Sequence, residues 1–259
     1  IFEAKRNGEN IGMQFGKGIL PAKEYLSNGL FSIQNCYSEA ESSFNQQLHF
    51  HDFYELSLIY EGSSRFLING SSFVAAAGSL QLIRPSDYHR QMTDTGEYIR
   101  YYNLIFRQEV LSNVLLDALE EVVEPFCFQM QEKEMQKMTQ LLLELKREQE
   151  EKEAFWEKMS ADLIEKICIL ILRKSPKKRQ AKEEEIPEAV RRSLVFVRQH
   201  YREKIRLSDA AQKAGLSESY FSSVFHACMG VTFSEYMLNY RLSLAKRMLE
   251  EGNISSKEV

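Results

Sequence analysis

The period of the hydrophobic pattern changes once along this chain, near Phe106, and that change constrains the fold more than any other feature. Between Leu30 and Phe106 the apolar, aromatic and β-branched residues fall into short runs: Phe31–Tyr37, Leu48–Tyr60, Arg65–Ile68, Ser72–Ala76, Leu80–Arg84 and Tyr98–Phe106. Glu61-Gly62-Ser63, Asn69-Gly70, Gly78 and Asp94-Thr95-Gly96 separate them. Runs of this kind, bounded by turn formers, predict strands. Asn69-Gly70 suits a two-residue type I′ hairpin, whose central residues both need positive φ. Short strands with short turns point to an antiparallel barrel or sandwich.

After Phe106 the apolar residues recur every three or four positions. Met135, Met138, Leu142, Leu145 and then Trp156, Met159, Leu163, Ile167 and Leu170 stand among Glu, Lys and Gln, which predicts amphipathic helices with one apolar stripe. That stripe either covers the barrel or pairs with a second subunit to make a homodimer. Arg173 to Glu185 has almost no apolar content and sets a basic block beside an acidic one. It predicts a solvated linker and domain boundary, with phosphate contact by the basic cluster as the alternative.

Composition narrows the function classes. The longest apolar run, Ile167 to Leu172, is far short of the ~20 residues that span a bilayer, so no membrane partner is expected. Cys36, Cys127, Cys168 and Cys228 show no C-x-x-C spacing, which argues against a zinc knuckle or disulfide framework and for a reducing, cytoplasmic setting. The formal net charge is −4, from 33 Lys+Arg against 37 Asp+Glu. It is unevenly spread: residues 187–259 hold 11 basic and 8 acidic side chains, or +3, leaving 22 against 29, or −7, for residues 1–186. A basic C-terminal part is the one that approaches a polyanion.

The segment Leu207 to Gly230 carries two short helices around a turn. Ser208 is placed to cap the first, Ala210, Ala211 and Ala214 allow close helix packing, and Gly215 supplies the positive φ that ends it. Leu216 is the buried turn residue, Ser217 caps the second helix, and Phe221, Val224 and Phe225 form its inward face. An ordinary αα-hairpin and a helix-turn-helix unit share this pattern. Ala-Gly-Leu-Ser-x-Ser-Tyr-Phe-Ser-x-x-Phe, followed by a tyrosine, Arg241-Leu242 and Ala245-Lys-x-x-Leu249, resembles the AraC/XylS family of bacterial transcription regulators over about Ile186 to Val259. The resemblance implies a DNA-binding domain of two helix-turn-helix units joined by a long helix. Ile254 to Val259 resembles only the opening of the second unit, so the expectation is a chain that stops inside it, as its start at Ile1 without methionine also suggests. The resemblance places Ser219, Ser222 and Ser223 toward the major groove, with Ser217 and Tyr220 beside them and His226 near the phosphates. Family members usually carry arginine and lysines here, and serine discriminates bases less than a bidentate arginine.

Near the other end, His49-Phe-His51-Asp-Phe-Tyr-Glu55 and Gly62 resemble the first motif of cupin barrels, and Gly78, Pro85 and His89 the second, with Asp87 where glycine is usual. In a strand, residues 49, 51 and 55 share one face. If that face is the lumen, His49, His51, Glu55 and His89 make a ligand set for a divalent metal; otherwise they are polar lining. No cofactor is required by the regulator reading. By resemblance to sugar-sensing regulators, Tyr101 and Asn103, with His89 and Gln91, are the candidate contacts for a small, sugar-like effector; the alternative turns Tyr101 and Asn103 outward onto the helices. No nucleophile elbow, phosphate loop or H-E-x-x-H helix is present.

The expected fold is a multi-domain α and β chain. Residues 1–173 form a cupin-like antiparallel β-barrel with a helical pair at about 109–173 for sensing and dimerisation, 174–186 a linker, and 187–259 a partial all-α DNA-binding domain. The expected function is effector-controlled, sequence-specific DNA binding rather than catalysis. The competing class is a metal-dependent cupin oxygenase or isomerase with a helical appendage.

Overall fold

The computed structural model describes residues 2–6, 9–13, 19–20, 25–26, 29–39, 44–45, 49–69, 71–85, 87–122, 125–174, 187–201, 203–229 and 231–250. The first strands, β1 (Phe2–Arg6) and β2 (Glu9–Met13), pair antiparallel, and β3 (Ile19–Leu20) runs parallel to β6 (Phe50–His51). The barrel is built around one long strand, β7 (Tyr54–Ile68). Its first half is flanked by β9 (Ser79–Ile83) and β11 (Tyr98–Phe106), which continue outward to β12 (Phe126–Gln129) and β4 (Phe31–Glu39). Its second half pairs with β8 (Ser71–Ala76) and β10 (His89–Thr93), the latter reaching β5 (Phe44–Asn45). Every pairing among these eight strands is antiparallel.

Glu61-Gly62-Ser63, which the sequence suggests as a break, is instead the bend that lets one strand serve both halves. Gly62 sits at φ +77°, and the register against β11 shifts between Arg100 and Tyr101. A β carbon at Gly62 would lie 1.9 Å from the Tyr98 carbonyl oxygen. Gly62→Ala therefore combines left-handed strain with a backbone collision, and urea unfolding is expected to show a loss of at least about 2 kcal/mol. The predicted run Leu48–Tyr60 is also divided differently: Asp52 and Phe53 interrupt it. Strands β10 and β12 lie outside the predicted runs. Asn69 has φ +45° between the paired Ile68 and Ser71, as the hairpin requires, while its partner Gly70 lies outside the described residues.

Three helices follow, α1 (Asn113–Glu121), α2 (Glu132–Glu151) and α3 (Trp156–Lys174). The α2 start is fixed by a capping box in which the Gln131 N–H donates to Glu134 Oε2 at 2.8 Å. Met138, Leu142 and Leu145 of α2 and Leu163, Ile164 and Ile167 of α3 bury against Leu56, Leu58, Leu82, Leu104 and Phe106 in one core. The apolar stripe is thus spent on covering the sheet, and Met159, predicted on it, is 44% exposed. Gln149 also docks on the edge strand β4: Ile33 N–H donates to its Oε1 at 2.8 Å, and its Nε2 donates to the Ile33 carbonyl at 3.1 Å.

Arg173 and Lys174, read as the start of the linker, instead form the last turn of α3; the rest of the predicted linker and the residues resembling a second helix-turn-helix lie outside the described residues. Between them stand α4 (Glu188–His200), α5 (Leu207–Ala214), α6 (Glu218–Met229) and α7 (Phe233–Glu250), packed on a core that includes Val190, Leu194, Ala210, Phe221, Phe225 and Tyr240. Gly215 closes α5 at φ +74°. Ser208 does not cap α5. The helix begins one residue earlier, and the Asp209 carboxylate accepts from the Arg206 backbone N–H at 2.8 Å. Pro187 stands just before the first helical position of α4, as its N-cap. Arg241 ties α7 to the end of α4, its Nε donating to the Tyr201 carbonyl at 3.1 Å.

Candidate functional site

Alternation along the strands decides what lines the barrel. Leu56, Leu58, Leu80, Leu82 and Leu104 face the helices, so Ser57, Gln81 and Asn103 face the other way. Register brings these into one row across the sheet: Gln81 opposite Ser57, Ser57 opposite Asn103, and Asn103 opposite Gln34. Tyr101 packs against Ile59, Phe66, Ala75 and Ile99 inside the barrel. Tyr101 and Asn103 therefore face the interior, not the helices. Burial, followed by the neighbouring Cys36 and Glu55, holds the Tyr101 phenol well above its ordinary pKa.

At one end of this row three predicted ligands converge. His51 Nε2 lies 3.1 Å and His89 Nε2 3.5 Å from the same oxygen, Glu55 Oε2. Asn103 Nδ2 donates to the other oxygen, Oε1, at 3.0 Å. The ring of His49 is buried against His89, centroids 4.2 Å apart. The ligand atoms that meet within 4.8 Å are those of His51, Glu55 and His89, so the structure gathers three of the four predicted metal residues into one cluster. Two imidazoles and a carboxylate suit a borderline-soft divalent ion, so the donor set fits such a metal. Burial would raise the Glu55 pKa, but its contacts with His51 and His89 outweigh this and hold the carboxyl well below the usual range. Burial lowers the His51 pKa, against the pull of Glu55.

The other candidates divide. His89 and Asn103 both touch Glu55, whereas Gln91 belongs to a separate polar group, donating to Thr93 Oγ1 at 3.1 Å and Ser38 Oγ at 3.4 Å. Gln81, which sequence reasoning missed, is 1% exposed, and its Nε2 has no hydrogen-bond partner. Asn103 Oδ1 is likewise buried without a partner. The signal for Gln81 was present in Ser79-Leu-Gln-Leu-Ile83, a polar residue held between two leucines that face the helices.

The second candidate surface is α6. Phe221 and Phe225 are fully buried, while Ser217, Ser219, Tyr220, Ser223 and His226 are exposed and Ser222 is half-buried. Val224, predicted inward, is partly buried against the same core. Ser217 caps the helix, its Oγ accepting from the Tyr220 N–H at 3.4 Å. The Ser223 hydroxyl donates to the Ser219 carbonyl at 3.1 Å. Tyr220, 59% exposed, is the largest side chain this face offers.

Barrel and helices meet at Phe50 and Tyr88, whose rings lie 4.6 Å apart and join the helical core, with Tyr88 5.4 Å from Tyr236 of α7. Burial, outweighing the opposing pull of Asn239 and helped by the Glu235 charge, pushes the Tyr88 phenol up to about 12.

Comparison with known proteins agrees with both halves. The pattern of the AraC-like ligand binding domain matches residues 35–167, which is 133 of 259, and that of the bacterial regulatory helix-turn-helix proteins, AraC family, matches residues 197–238. The HTH-type transcriptional regulator YfiF of Bacillus subtilis is 23% identical over 83% of this chain and 71% of its own length. The HTH-type transcriptional activator RhaS of Escherichia coli is 21% identical over 82% of this chain and 76% of its own. Among solved structures, the AraC-like transcriptional activator CuxR aligns over 85% of this chain and 78% of its own at 14% identity and a TM-score of 0.44. Fatty acid-bound ToxT of Vibrio cholerae covers 87% of this chain and 83% of its own at 13% and 0.39. With a ligand-binding barrel on one side and a helix-turn-helix on the other, the chain belongs to the AraC family, and it is a DNA-binding transcription regulator controlled by a small-molecule effector.

Proposed function

We propose that the effector is a small polyhydroxylated molecule of the sugar class, held in the barrel by the polar row, and that the barrel senses it without transforming it. The observation that carries this reading is the pair of orphaned buried atoms, the donor Gln81 Nε2 and the acceptor Asn103 Oδ1, in the row facing the lumen. A buried donor and a buried acceptor, both unmet and in one row, match a ligand that offers hydroxyls, each of which both gives and accepts a hydrogen bond. Glu55, His89 and Asn103 stand at one end of that row as further contacts, with Tyr101 on the next inward position of β11. A thermal-shift screen of sugars and sugar acids tests it: a ligand at 100 times its Kd stabilises by about 2.7 kcal/mol. Stabilisation by aliphatic acids alone, with none from any sugar, would contradict the class.

On DNA, Ser219, Tyr220, Ser222 and Ser223 are proposed to face the groove, with Ser217 and His226 toward the phosphates. Ser223→Arg adds a charge on this exposed face, so DNA affinity is expected to rise and its salt dependence to steepen by about one phosphate contact. A titration across salt concentrations in which neither changes would argue against this orientation of α6. The protein is proposed to work in the cytoplasm as a homodimer, through the outer surface of α2 and α3, where Leu143 and Met159 remain 45% and 44% exposed. Sedimentation showing a monomer at micromolar concentration would exclude that interface.

A further inference from the structure

Two imidazole nitrogens and a carboxylate oxygen, from His51, His89 and Glu55, converge within 4.8 Å of one another. His51 Nδ1 lies 2.7 Å from the Phe53 carbonyl oxygen, and His89 Nδ1 lies 3.0 Å from the Asp87 carbonyl oxygen. A carbonyl oxygen only accepts, so each Nδ1 carries a proton, and Nε2 is the atom of each ring that can offer a lone pair to a metal. Both Nε2 atoms meet the same carboxylate oxygen, Glu55 Oε2, 3.1 and 3.5 Å away. Asn103 donates to the far carboxylate oxygen, Oε1, and leaves Oε2 to the two rings. Among the described residues, no lysine or arginine pairs with Glu55. Ligand atoms that converge in this way can be bridged by a cation among them. Imidazoles locked by backbone carbonyls through the opposite nitrogen are also how metal-binding histidines are held. His51 and His89 side chains are 1% and 6% exposed, whereas Glu55 keeps 22%, which leaves a way in.

We infer that His51, His89 and Glu55 bind one divalent transition-metal ion inside the sensor barrel, and that its arrival is felt in α7. The second half rests on the regulator reading and on strand alternation. His51 and His89 point to one face of β6 and β10, and their neighbours Phe50 and Tyr88 point to the other, where they pack into the helical core beside Tyr236. Drawing the two imidazoles onto an ion moves the same two backbone segments that carry this contact. With only three protein ligands, such an ion would have coordination positions left for hydroxyl or carboxylate oxygens of an effector.

The test uses the tag-free full chain stripped with a chelator and titrated with Co²⁺, whose visible absorption reports nitrogen and oxygen coordination. The expected result is one equivalent bound, with affinity falling about 100-fold or more in His51→Ala/His89→Ala and in the near-isosteric Glu55→Gln, both checked for folding by circular dichroism. Zn²⁺ should then slow amide exchange across Phe233–Tyr240 in the native chain and leave it unchanged in these variants. Uptake below about a tenth of an equivalent would overturn the site, as would uptake that both variants preserve, which would place the ion elsewhere. Site-specific uptake with no change across Phe233–Tyr240 would overturn the link to α7. DNA binding is not measured, so its failure cannot be confused with either result.

Discussion

Asp87→Ala is expected to cost about 3–5 kcal/mol of stability, because it strands a buried guanidinium. Arg84 and Asp87 are both 0% exposed and joined through Arg84 Nε and Asp87 Oδ2 at 3.0 Å. The same carboxylate accepts from the Arg84 backbone N–H at 3.0 Å and from Asn69 Nδ2 at 2.7 Å, while Arg84 Nη1 donates to the Leu119 carbonyl at 2.9 Å. One network therefore pins the β7–β8 hairpin, the α1 helix and the loop leading to Tyr88 and His89. Replacing both charges by apolar residues of matching volume should cost less than removing the carboxylate alone, since no unpaired charge remains. Urea unfolding measures both; a loss under about 1 kcal/mol for Asp87→Ala would mean the guanidinium finds water or another partner.

Phe225→Ala should cost a similar amount, about 3–5 kcal/mol, but in the other domain. Phe225 is 0% exposed, with the rings of Phe221 and Phe233 each 5.5 Å away and Tyr236 at 5.6 Å. Removing it empties the centre on which α6 and α7 pack, so the helix-turn-helix should lose its fold and DNA binding should disappear while the barrel still melts cooperatively. Tyr220→Ala is the contrasting case. Its ring is exposed, so stability should stay within about 0.5 kcal/mol while DNA affinity falls. Circular dichroism melts and DNA titrations of the two variants separate a folding effect from a contact effect. Equal losses of affinity with equal losses of stability would place Tyr220 in the core instead.

How much of this was legible in the sequence depended on whether a signal was local. Alternation in Tyr98–Phe106 correctly implied a strand with Tyr101 and Asn103 on one face, and Gly215 marked the end of a helix because positive φ is a local demand. Strand β10 was hidden for a physical reason. His89, Gln91 and Thr93 line a polar interior, so the usual pattern of apolar inside and polar outside does not hold there. Arg84 and Asp87 read as ordinary loop charges three residues apart; their burial depends on Asn69 and on α1, which only the fold brings near. Gly62 gave the right residue and the wrong outcome, since positive φ bends a strand when both neighbours keep their partners. The apolar stripe of α2 and α3 was legible as a stripe, but what it covers is a tertiary fact. The roles of Phe50 and Tyr88 are tertiary in the same sense, because an aromatic beside a lumen histidine has the same local signature whether a helix or solvent lies beyond it.

The central claim is that α6 reads DNA sequence. Its most direct test selects duplexes from a random pool with the full chain, then titrates the enriched duplex and a scrambled one by fluorescence anisotropy at fixed salt. The account predicts preferential binding of the enriched duplex by at least about a thousandfold at physiological salt, reduced by Tyr220→Ala without loss of fold. Equal affinity for both duplexes, unchanged by Tyr220→Ala, would contradict it.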